Sequence, residues 1–156
     1  MQVHTVSFDD FSCTEYHIFG IHSALEDYQL AYLLNSFLSI NFKRCKDDID
    51  LKIKAKEAYF PLYEYTNYQT DNSWFLVSNV YKTKIQGDNL GLFSESETRL
   101  FLLPEKKKVD YFLKLEGEFT QHRIDKINEV INEIPQVITS YNIDTNTLKS
   151  KEFLIF

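Results

Sequence analysis

A chain of 156 residues, 44% hydrophobic and 26% charged, is long enough to bury a core without disulfides or a structural metal. Its 17 Lys and Arg against 23 Asp and Glu give a net charge of −6 at pH 7, which argues against a nucleic-acid binder that works by neutralising phosphates. Two cysteines are too few for a secreted disulfide scaffold, and no run of about 18 apolar residues offers a membrane span.

Residues 1–10 carry Asp9 and Asp10 without a basic start or an apolar stretch, so they do not read as a signal peptide and a cytoplasmic protein is expected. With only 4 Gly and 3 Pro there is little material for linkers, and residues 1–156 are expected to form a single domain. Tyr16 to His22 is a short β-rich run. Ser23 and Glu26, three apart, have the spacing of a capping box and predict a helix over about 24–40, with Leu30, Leu33, Leu34 and Phe37 on its apolar side and a second row, Leu25, Tyr28 and Tyr32, widening the stripe.

Residues 49–56 alternate strictly, Ile49, Leu51, Ile53 and Ala55 against Asp50, Lys52, Lys54 and Lys56, which predicts one half-buried strand with lysines on its wet face. Further β-rich runs, 59–65 and 74–84, surround the turn-forming stretch 67–73. Residues 86–96 read as a loop, and runs 98–103 and 109–116 read as a hairpin around the turn 104–108. A last helix is expected from Thr120, with Ile124, Ile127, Ile131, Ile134, Ile138 and Tyr141 at spacings of three and four. Pro135 falls inside that pattern and predicts a kink. The apolar terminus 152–156 is expected to dock on its own domain or on a partner.

The order β-α-β-β-β-β-β-α, without a βαβ rhythm, predicts an α+β fold: an antiparallel sheet of about six strands with two main helices packed on one face. It is similar to the order of small helix-grip domains, in which sheet and last helix enclose an apolar pocket.

Motifs for chemistry are sparse. His17 and His22 are five apart on a strand and so lie on opposite faces, and Cys13-x3-His17 lacks a second pair, so no metal site is expected. Cys45 stands beside Lys43, Arg44 and Lys46, which favour a thiolate, yet an unreactive thiol is the commoner case. Asp47, Asp48 and Asp50 lack the glycine and glutamate of a calcium loop. The chain has no phosphate loop, dinucleotide fingerprint or nucleophile elbow, and no cofactor is implied. Positive charge is clustered, with Lys52, Lys54 and Lys56 on one strand face and Lys106, Lys107 and Lys108 on a turn. These lysines are candidates for contact with an acidic partner, or they solvate an exposed strand. Aromatics at 15% are plentiful; core packing and cross-strand pairs explain most of them, and the rest permit an interface or a ligand pocket.

The segment Leu103-Pro104-Glu105-Lys106-Lys107-Lys108-Val109-Asp110-Tyr111 resembles the signature of the IPExxxVDY family, with Leu103 in place of isoleucine. Residues 20–23 and 27–30, 91–93, 134–137 and 148–151 are also similar to that family, so the resemblance runs along nearly the whole chain. It implies a small cytoplasmic protein of Bacteroidetes-type bacteria and supplies no catalytic residue. Glu105 and Asp110 read as an acid and base pair or, more commonly, as turn acceptors bonding nearby amides.

The expectation is a non-catalytic protein that binds another macromolecule, with a protein partner or a homodimer in view. Lys52, Lys54, Lys56, Lys106, Lys107, Lys108, Asp110 and Tyr111 are its candidate contacts. The alternative is a module for an apolar small molecule held between the sheet and the last helix. An enzyme ranks third, because no nucleophile, base and orienting group can be assembled from the spacings.

Overall fold

In the computed structural model, residues 15–86 and 95–156 are described. Six antiparallel strands form the central sheet, in the order β10-β1-β9-β6-β5-β2: β1 is Tyr16–Ser23, β2 Lys43–Arg44, β5 Leu62–Asn67, β6 Asn72–Ser78, β9 Tyr111–Glu116 and β10 Val137–Ile143. Two helices, α1 (Asp27–Leu38) and α2 (Gln121–Glu133), pack with one face of the sheet. The α+β architecture and its helix layer are those expected.

Side-chain alternation explains why the sheet is buried on both faces. Phe19 and Ile21 of β1, Trp74 and Leu76 of β6, and Tyr111, Leu113 and Leu115 of β9 meet Leu30, Ala31 and Leu34 of α1 and Ile124, Ile127 and Ile131 of α2. The intervening Ile18, Val77 and Phe112 face a second core, closed by two hairpins, β3–β4 (Ile49–Ile53, Lys56–Phe60) and β7–β8 (Val80–Gln86, Glu95–Phe101). The C-terminal segment completes that core with Leu148 and Leu154, so the tail docks on its own domain.

Lys114 of β9 points into this second layer and is only 4% exposed. Its ammonium donates to the carbonyl of Leu154 at 2.6 Å, pairs with Glu116, and lies over the rings of Tyr16, Phe75 and Phe156. A buried cation is tolerated only with such partners. Here they fasten the tail.

Five local expectations need correction. The capping box of α1 is formed by Glu26 and Gln29, while Ser23 donates from Oγ to the carbonyl of Gln136 at 2.9 Å. Residues 49–56 are not one strand: Lys54 and Ala55, at φ of 49° and 64°, make a two-residue turn between β3 and β4. The 104–108 turn does not close a hairpin, because β8 pairs with β7 and β9 lies between β1 and β6 in the main sheet. Pro135 does not kink a longer helix. It ends α2, and Val137–Ile143 returns as the sheet's edge strand. The run 74–84 likewise divides at Asn79 into β6 and β7, which belong to different sheets. The expected loop over 86–96 falls largely outside the described residues.

Both sheet edges are blunted. The β2 edge is two charged residues long. At β10 the side chain of Asn132 on α2 donates to the carbonyl of Ser140 at 2.9 Å and accepts from its amide at 2.8 Å, occupying the groups a further strand would use.

Candidate functional site

The 103–111 segment is organised around Asn79, which is fully buried. Its carboxamide accepts from the amide of Leu103 at 2.9 Å and donates to the carbonyls of Lys106 and Val109 at 2.9 and 2.8 Å. The backbone of Asn79 bonds Asp110 and Leu102 as well. Pro104 starts a short 3-10 turn, Pro104–Lys106, where its missing N–H and fixed φ cost nothing. Glu105 accepts from the amides of Lys149 and Ser150 at 2.9 and 2.8 Å and from the Ser150 hydroxyl at 3.1 Å. Burial pushes its carboxyl up, but these donors and its own amide outweigh burial and hold it below the usual value. Asp110 accepts from the amide of Ser23 at 2.9 Å, and the Tyr111 hydroxyl donates to the carbonyl of Leu25. The carboxylates are therefore amide acceptors, although for amides distant in sequence. The segments 20–23 and 148–151 meet the 103–111 segment directly, and 134–137 joins the clasp through the Ser23 bond to Gln136.

Beside the clasp lies an open cleft of about 570 Å3, bounded by the β1–α1 turn, the start of β9 and the two hairpins. Asp110 and Tyr111 line it, together with Asp27, Asp48, Tyr59, Tyr81, Lys82 and Arg99. Several of its charges already have partners. Asp27 accepts from Tyr63 at 2.8 Å and lies 3.8 Å from Arg44, which also pairs with Asp48. Lys82 and Arg99 both lean on Glu97, at 4.0 and 3.1 Å. Burial, with the Asp27 hydrogen bond for Tyr63 and the Asp27 and Glu26 charges for Tyr111, pushes both phenols well above the ordinary tyrosine value. Neutral phenols and paired carboxylates can bind and orient a polar group, but they present no activated nucleophile.

Cys45 adds none. Burial and Glu64 push its thiol up, against the opposing pull of Arg44. Cys13 lies outside the described residues. Among the described residues no three His, Cys, Asp or Glu side chains are placed to hold a metal ion, and no helix is long and apolar enough to cross a membrane.

The candidate lysines do not share one surface. Lys52 lies on the face of β3 opposite Ile49, Leu51 and Ile53, across from Glu57. Lys54 is in the turn, and Lys56 pairs with Ile53 on the other face of the hairpin. The expected row of three is undone by that turn. Lys106, Lys107 and Lys108 stand on the turn before β9, where Lys107 lies over the ring of Phe101 at 6.0 Å.

The outer face of α1 is different in kind. Tyr28 is 62% and Tyr32 70% exposed, Phe37 is exposed as well, and Leu25 and Leu33 are half-buried beside them. Leu25, Tyr28, Gln29, Tyr32, Leu33 and Gln136 line a shallow, mainly apolar depression. No charged residue occurs anywhere from 28 to 42, in a chain that is 26% charged. Aromatic side chains on a charge-free helix face are the composition of an interface core. Sequence reasoning assigned Phe37 to the core and treated Tyr28 and Tyr32 as a widening of the apolar stripe. The signal that marks them is the charge gap rather than the hydrophobic period.

No family model matches the chain, and no curated protein matches it.

Proposed function

We propose that this is a non-catalytic interaction protein, working in the cytoplasm as its resemblance to the IPExxxVDY family implies, that binds a protein partner through the outer face of α1. The exposed row of Tyr28 and Tyr32, one turn apart beside Leu25 in a stretch without charge, carries the reading. A soluble surface ordinarily interrupts such a row with charge, because uninterrupted rings are costly to leave in water. In this reading Asp110 and Tyr111 set the β1–α1 turn from which α1 departs, and the six candidate lysines serve solvation.

A photo-crosslinking residue in place of Tyr32 is expected to capture a discrete protein in living cells, whereas the same residue in place of the exposed Tyr68 on the β5–β6 turn captures none. An uncaptured position 32, or equal capture at both, contradicts the reading.

A second reading, a ligand-binding module, is favoured by the cleft at Asp110. Its ligand would be polar rather than the apolar molecule expected from the sequence. The α2–sheet layer that was to hold the latter is filled by Ile124, Ile127, Ile131 and Ile134, each 5% exposed or less.

A further inference from the structure

A pocket of about 310 Å3 opens between the last turn of α1, helix α2 and strands β5 and β6. It is at the small end of the sites that hold single organic molecules. Leu38 and Ile40 at the end of α1, Tyr65 and Trp74 of the sheet, and Ile127 and Val130 of α2 give it apolar walls. Trp74 donates its indole N–H to Oδ1 of Asn72 at 2.9 Å and meets Tyr65 and Phe119 edge-on, at ring-centroid distances of 6.3 and 5.8 Å. Its polar atom is thereby satisfied, and what the ring offers the pocket is apolar.

The only charged side chains among the described lining residues are Arg123 and Lys126, both cations. In a chain with 23 Asp and Glu against 17 Lys and Arg, that is a local excess of positive charge. The cleft at Asp110 has the opposite character, with Glu26, Asp27, Asp48 and Asp110 facing Lys82 and Arg99. Neither cation of the pocket is neutralised at close range. Arg123 holds its guanidinium 4.8 Å from the centre of the Phe119 ring and has, among the described residues, no carboxylate at salt-bridge distance. Lys126 has only Glu129 at 3.5 Å, and both are largely exposed, so the pair is weak in water. The C-terminal end of α1 also faces the pocket without a basic residue in its last turn, but its partial charge of about −0.5 takes up only part of two full positive charges.

We infer that this pocket binds a small carboxylate with an apolar body, the body against Trp74 and Ile127 and the carboxylate held by Arg123 and Lys126. A guanidinium and an ammonium give a carboxylate the stronger, charge-assisted kind of hydrogen bond. A neutral apolar ligand leaves both cations without a partner, and inorganic phosphate leaves the apolar walls in water. The inference goes beyond the α1 reading and does not depend on it.

The test is a heteronuclear NMR titration of the whole chain with octanoate and, separately, with octanamide, which has the same chain and no charge. Trp74 is the single tryptophan of the sequence, so the one indole N–H resonance reports on this pocket. Octanoate is expected to shift that resonance and the amides of residues 37–40 and 123–130 saturably, and octanamide to bind at least about tenfold more weakly, the equivalent of one hydrogen bond to a charged group. Arg123→Gln combined with Lys126→Gln is expected to bring octanoate down to the affinity of octanamide at an unchanged melting temperature. Arg123→Lys, which keeps the charge, is expected to retain most of the binding. Shifts that grow without saturation, or that fall around Asp110 and Tyr111 instead, overturn the inference. So does octanamide binding as tightly as octanoate, because the two cations then play no part. Capture at position 32 is read separately: a failed titration leaves the α1 face standing, and a failed capture leaves the pocket standing.

Discussion

The carboxylate of Asp110 accepts a hydrogen bond from the amide of Ser23 at 2.9 Å, across 87 residues of sequence. Ser23 ends β1 and opens the turn into α1, so this bond, with that from Tyr111 to the carbonyl of Leu25, sets where α1 leaves the sheet. Removing the acceptor with Asp110→Ala is expected to cost about 1–3 kcal/mol in urea unfolding, and Asp110→Asn, which keeps an acceptor oxygen, less. Equal losses in the two variants would mean that the carboxylate's charge, not the bond, matters.

Asn79 carries more. Its side chain satisfies three backbone groups of the 103–109 turn from a fully buried position. Asn79→Ala strands all three, and the loss expected in equilibrium denaturation is at least about 3 kcal/mol. A loss under about 1 kcal/mol would show that water replaces the carboxamide.

Lys114 fastens the C-terminal segment to the sheet. Lys114→Met keeps the stem within the rings of Tyr16, Phe75 and Phe156 but removes the bond to the Leu154 carbonyl and the pair with Glu116. The expected loss is about 1–3 kcal/mol, with faster amide exchange confined to residues 148–156 and their contacts. Uniform acceleration across the sheet would contradict a role restricted to the tail.

Acid loosens the same tail through Glu105. Its folded carboxyl lies below the unfolded value, so the bonds to Lys149 and Ser150 stabilise the fold above the unfolded pKa, and that contribution is lost as pH falls through the folded one. Wild-type melting is expected to fall more steeply with acid below about pH 4.5 than that of Glu105→Gln, which has no proton to gain there. Parallel curves would remove Glu105 from the linkage.

Pro135 ends α2, with Ile134 extended at its C-cap and the carbonyl of Ile134 accepting from Val137. Because proline already suits this turn, Pro135→Ala is expected to destabilise by about 0.5–1 kcal/mol, mainly by freeing the unfolded chain. A stabilised variant with a longer helix would mean that α2 is held short against its preference.

The sheet, the two helices and the start of α2 at Thr120 were legible from the spacing of their apolar residues. Strand β10 was not. Ile134, Ile138 and Tyr141 continue the helical spacing although Ile138 is 76% exposed, while a register shift opposite His22 and Ser23 sets Val137 and Ser140 on one face of the strand and Ile143, paired with Ile18, is buried on the other. The β3–β4 turn was hidden because Lys54 and Ala55 adopt left-handed conformations with no glycine or asparagine to announce them. The clasp joins residues far apart in sequence, so its motif was visible and its bonding was not. The α1 face needed both levels: exposure from the structure, and the absence of charge from the sequence.

Which surface the protein works through is decided most directly by native mass spectrometry of gently isolated complexes, comparing Tyr28→Lys with Tyr32→Lys in one chain against Lys106→Glu, Lys107→Glu and Lys108→Glu in another. Loss of the complexes in the first chain, with its melting otherwise unchanged, and their survival in the second is the expected result. Complexes that survive lysine at positions 28 and 32, or that vanish with the 106–108 charges, would contradict it.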